Sequence, residues 1–194
     1  MYLCNSSEGY NSISRIRHFD STPCYENLNL IILPSIGFLL LSIYDISQSL
    51  KYPINNKPNN RSKFFIKLFS YFSLNLLLIL QLFYNFDYDI ETLSQLCQFI
   101  SITISSLMSI IHHNRFNKPS NLLLIYYPII ILSNLVKIRT SILSSYEDIS
   151  INLLISTTAL TAFIWLVETS GPGFPPSNDP LNDASIYSLY VHIP

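Results

Sequence analysis

Apolar residues in this chain come in long blocks separated by short polar turns, not in the spaced stripe of a surface helix. The blocks are Leu28–Tyr44, Leu68–Phe86, Leu93–Ile111, Leu122–Val136 and Ile149–Val167. Runs of this kind approach the ~20 apolar residues that cross a bilayer as a helix. The pattern predicts an all-α integral membrane bundle of five transmembrane helices, at 28–44, 68–86, 93–111, 122–143 and 149–167. A polar head, 1–27, precedes the transmembrane domain, 28–168, and a linker, 169–194, follows it. Pro34 and Gly37 lie inside the first span, which membrane helices tolerate. The fourth run contains Pro128 and Asn134. It reaches Leu143 if Lys137 and Arg139 snorkel or pair with Glu147 or Asp148. Trp165, at the far end of the fifth span, suits an interfacial aromatic belt. From Glu168 onward the sequence is polar and rich in Pro and Gly, and reads as a linker or tail.

Charge orients these spans. Lys51–Lys67, KYPINNKPNNRSKFFIK, carries five of the eleven Lys and Arg residues and no acid. Bases next to a span resist translocation, so this loop is placed in the cytoplasm, with Lys67 snorkelling at the edge of the second span. The acidic turn Asp87–Glu91 then falls outside, His112–Lys118 returns inside, and the tail ends inside. Connecting loops placed inside hold seven bases, against four in everything placed outside. The expected topology has an exported or luminal N-terminus and a cytoplasmic C-terminus. The first 27 residues have no apolar core of signal-peptide length, so the first span is expected to act as the targeting signal.

Composition sharpens the class. The chain is 49% hydrophobic and 12% charged, with a net charge of −1, against about 25% charged in an ordinary soluble domain. A near-zero charge gives no footprint for nucleic acid. With four glycines, the sequence has neither a phosphate-cradling P-loop nor a dinucleotide fingerprint, and it lacks H-E-x-x-H and paired C-x-x-C motifs. No enzyme activity, no cofactor, no metal and no nucleotide bound by this chain are expected. No span shows the buried carboxylates that a proton-coupled pump needs. His112 and His113 are adjacent and point apart on a helix, so they read as an interfacial cap.

Some residues in the head and at the membrane edge are candidates for other chemistry. Cys4 and Cys24 both fall in the exported head, where disulfides are permitted; a bridge and two free thiols both fit the sequence. Asn5-Ser6-Ser7 is a glycosylation sequon in the same segment. Cys97, in mid-span, reads as packing. Lys137 and Arg139 are candidate interface charges, lining either a contact with a partner domain or a substrate path, or else snorkelling.

The head, CNSSEGYNSISRIRHFDSTPCYENLNLIILPS, resembles the start of fungal C-subfamily ABC transporters, the multidrug-resistance-associated group of vacuolar conjugate and metal-resistance exporters. The shared elements are Cys4, Glu8-Gly9, Ser14, Phe19-Asp20 and Thr22-Pro23-Cys24, with the apolar run directly after. Leu135-Val136-Lys137-Ile138-Arg139 resembles the basic end of that family's fourth helix, and Asp179–Leu189 the stretch before its transport core. The resemblance implies an accessory N-terminal five-span domain, a Cys4–Cys24 bridge, and a vacuolar membrane location ahead of the plasma membrane. It also implies a role in targeting, stability and partner contacts beside an exporter of organic anion conjugates. Its partners would be membrane lipid and the transport core, or another membrane protein. The match breaks at Tyr190, so the expected chain is truncated before the transport core. Two other readings are a self-contained small carrier or channel and a non-functional gene fragment. A polar stripe formed by Asn134 and Asn152 facing each other, with Asn75, would favour the carrier.

Overall fold

A computed structural model describes residues 22–52, 61–84, 90–116, 120–143 and 148–170. The elements in chain order are α1 (Pro23–Glu26), a π-helical segment (Asn27–Ile32), α2 (Leu33–Ser49), α3 (Arg61–Tyr84), α4 (Ile90–Arg115), α5 (Asn121–Leu143) and α6 (Asp148–Thr169). Among the described residues every element is helical. Five stretches are long and apolar enough to cross a membrane: Cys24–Ser49, Ser62–Tyr84, Ile90–Arg115, Asn121–Leu143 and Ile149–Thr169. At about 1.5 Å per residue they extend roughly 30–40 Å, enough for a ~30 Å hydrocarbon core with some tilt.

Local sequence explains the breaks in regularity. Pro34 has no N–H to offer the carbonyl one turn back, and its ring crowds that carbonyl. The turn before it is widened: Leu33 N–H bonds Leu28 C=O in the i−5 pattern, which relieves the crowding. Pro128 lies inside α5, which nonetheless runs unbroken to Leu143. The helix thus continues through Lys137 and Arg139.

The helices close into a ring. α2 packs on α4, α4 on α3, α3 on α6, α6 on α5, and α5 back on α2. The interior holds Phe38, Tyr71, Leu74, Leu78, Ile102, Met108, Leu123, Tyr126, Tyr127, Ile130 and Ile164. Phe38 stacks on Tyr126 with ring centroids 4.0 Å apart. A smaller cluster of Cys24, Ile32 and Ile90 lies near the start of the first span. The outside is apolar as well: Leu40, Phe69 and Phe83 are 66–76% exposed. Buried serines such as Ser35, Ser42, Ser101 and Ser105 lie inside, the reverse of a soluble protein and the pattern of helices packed through small residues in lipid. Trp165 packs against the main core, with a buried Nε1 that has no partner. The indole is half-buried at the edge of that core.

Candidate functional site

The polar chemistry of this protein lies inside the ring. α4 supplies it, because its buried face repeats polar residues at helical spacing: Ser94, Gln95, Gln98, Ser101, Ser105 and Ser109 are all buried. Each turn of α4 therefore presents a hydroxyl or amide to helices across the ring.

At the end of the bundle where α4 and α6 finish and α3 begins, a charged cluster forms. Glu168 is 1% exposed. It accepts from Lys67 Nζ at 2.7 Å, from Tyr71 O–H at 3.2 Å and from Ser109 O–H. The Tyr127 hydroxyl lies 2.6 Å from the Tyr71 oxygen and 2.9 Å from Ser105 Oγ, and its single proton serves one of the two contacts. Three helices, α3, α4 and α6, are thereby tied at one carboxylate, and Tyr127 adds α5 through Tyr71. A buried carboxylate is tolerated because its oxygens are paired and hydrogen-bonded. Lys67 turns inward to Glu168 instead of snorkelling, because this carboxylate offers it a charge partner. Glu168 belongs to α6, not to a linker, and two of the spans do carry a buried carboxylate, Glu168 and Glu26.

A second cluster closes the same end between α2, α4 and the start of α5. His112 Nε2 lies 3.2 Å from both Asp45 Oδ2 and Ser49 Oγ, and Ser120 donates to Asp45 at 2.9 Å. Arg115 donates to the carbonyls of Leu50 and Tyr52. His113 points elsewhere, into a shallow groove of about 200 Å³ between α3 and α4, beside Phe64. The two histidines diverge, as adjacency on a helix requires. Among the described residues no three His, Cys, Asp or Glu side chains converge as metal ligands.

The opposite end is bound by neutral and charged pairs. Thr140 donates to Glu26 at 2.9 Å, Ser94 to Asn27 at 2.9 Å, and Gln98 to Asn134 at 3.5 Å. Lys137 is 9% exposed and pairs with Glu91 at 3.1 Å. It is an internal tie between α5 and α4, not a snorkelling base; Glu147 lies outside the described residues. Arg139, two residues on, is exposed. Cys24 is 2% exposed and Cys97 is a free cysteine; Cys4 and Asn5 lie outside the described residues. Asn75 is used locally, accepting from Thr103 at 2.9 Å and donating to the Tyr71 carbonyl. Asn134 is fully buried while Asn152 is exposed, so the two form no facing stripe.

Sequence reading missed Glu168 and the α4 face. Both carried a signal. Leu154, Thr157, Thr161, Ile164 and Glu168 are all buried and recur at three- and four-residue intervals, so Glu168 continues the inner face of α6.

A ring of apolar-coated helices tied together by polar contacts in its interior defines a polytopic α-helical membrane domain. A family model described as the ABC transporter TMD0 domain matches residues 1–164. The chain belongs to that family, whose members are membrane domains and not ATPase domains. No curated protein matches the chain.

Proposed function

We propose that this chain is the accessory membrane domain of a C-subfamily exporter of organic anion conjugates. In this reading it acts in targeting, stability and partner contacts in the vacuolar membrane, and hydrolyses no ATP itself. The observation that carries the reading is the contrast between a locked interior and an open apolar exterior. Lys67, Glu168, Tyr71 and Tyr127 are consumed in mutual contacts, while the faces bearing Phe69, Phe72 and Phe83 are free for lipid or for another membrane protein. The end carrying Lys51 and Arg115 is assigned to the cytoplasm by the positive-inside rule, which puts α6 on course toward a cytoplasmic linker and a transport core. The Cys4–Cys24 bridge and a glycan on Asn5 belong to the same proposal. Its support is that Cys24 is buried and engaged.

The test expresses the tagged chain beside a C-subfamily transport core that lacks its own N-terminal spans, as separate polypeptides in a fungal host. Co-purification of the two and delivery of the core to the vacuolar membrane only when the chain is present are expected. A core that neither binds the chain nor changes location overturns the reading.

A further inference from the structure

The polar face of α4 is almost fully matched, and the exception is informative. Glu91 has Lys137, Gln98 has Asn134, Ser105 has Tyr127 and Ser109 has Glu168. Gln95 is 2% exposed, yet neither its Nε2 nor its Oε1 has a hydrogen-bond partner, and the same holds for Nδ2 of the fully buried Asn134. Helical spacing puts these residues on facing stripes of α4 and α5. Gln95 lies one turn from Glu91 and one turn from Gln98 on α4, and Lys137 and Asn134, the partners of those two, lie one turn apart on α5. The orphan amide of Gln95 is therefore bracketed between a Glu91–Lys137 rung and a Gln98–Asn134 rung.

We propose that this place is a hydration site: ordered water held between α4 and α5, bonded to Gln95 and Asn134 and reached past Glu91. A buried amide without partners is costly, and more so where lipid surrounds the helix. A buried water needs two to four polar partners. Gln95 Oε1, Gln95 Nε2 and Asn134 Nδ2 offer three, and the Glu91 carboxylate stands one turn away. α4 and α5 are not backbone neighbours in the ring, and the Asn27–Ile32 segment packs against both of them, so the site lies among three elements. The Glu91 side chain is 28% exposed, which opens the site toward that end of the bundle. A metal cation is the wrong occupant: two of the three free groups are N–H donors, and Glu91 is already neutralised by Lys137. Water, which both donates and accepts, satisfies all three.

The test uses the full chain in lipid nanodiscs. Nitrogen-edited spectra record exchange cross-peaks between water and side-chain amide protons, with the half-exposed Gln48 as the internal positive control. Cross-peaks to water are expected at Gln95 and Asn134, and Gln95→Met, close in size, removes the first. The same variant is expected to lower Tm by about 2–4 °C, because it strips the water and Asn134 of a partner. In a dry site Gln95→Met would instead remove an orphaned amide and raise Tm. Cross-peaks confined to Gln48, or a Tm that is unchanged or raised, overturn the proposal.

Discussion

The ion pair between Lys67 and Glu168 allows an asymmetric prediction. The carboxylate is 1% exposed, whereas the Lys67 side chain is 14% exposed at the end of the bundle. Lys67→Met strands a carboxylate buried against Tyr71 and Ser109. Breaking a buried pair from that side costs about 3–5 kcal/mol. Glu168→Gln removes the charge but keeps an acceptor for Tyr71 and Ser109, and it leaves an ammonium that can swing to the interface. Its cost is expected near 1–2 kcal/mol, the scale of a net hydrogen bond. For a chain of this size ~1 kcal/mol moves Tm by about 2–4 °C. Lys67→Met should therefore fall roughly 10 °C or more and Glu168→Gln only a few degrees. The double variant should be more stable than Lys67→Met alone, because the stranded charge is gone. Thermal unfolding in nanodiscs, followed by loss of the monodisperse chromatographic peak, measures all three. Equal losses from the two single variants, or a double variant that shows their sum, would rule out a stranded carboxylate as the source of the cost.

Other outcomes follow from the same contacts. Phe38→Ala empties the stack on Tyr126 in the middle of the ring; a loss of about 3–5 kcal/mol should be visible in the same melt, with a near-neutral result for the lipid-facing Phe69→Ala. Arg115→Ala releases the Leu50 and Tyr52 carbonyls at the end of α2; trypsin should then cut faster at Lys51 while Tm changes little. If Cys4 and Cys24 are bridged as proposed, denaturing alkylation without reductant should modify one of the three cysteines, identified as Cys97 by mass, and all three after reduction.

Much of the architecture was legible because membrane helices announce themselves by length and apolarity, and the five-helix reading rests on that signal alone. What length cannot show is the direction in which a charge turns. Lys67 stands at the edge of an apolar run, where snorkelling is the default. Its partner Glu168 is 101 residues away in sequence, and only the ring closure brings the two together. Lys137 is a similar case: the nearby acids in sequence drew attention, but the partner is Glu91 on a helix across the bundle. Glu168 was missed because an apolar run is trimmed at its first charge, although the spacing from Thr157 through Thr161 and Ile164 continues through it. The divergence of His112 and His113, by contrast, followed from adjacency alone, and the structure places one on Asp45 and the other beside Phe64.

The proposed role, a domain that serves a transporter without itself transporting, is tested by flux through the purified chain alone, reconstituted in proteoliposomes with a fluorescent glutathione conjugate, with and without ATP. The closed polar interior predicts no uptake above protein-free liposomes under either condition. Saturable uptake by the chain alone would contradict the account and make it a self-contained carrier.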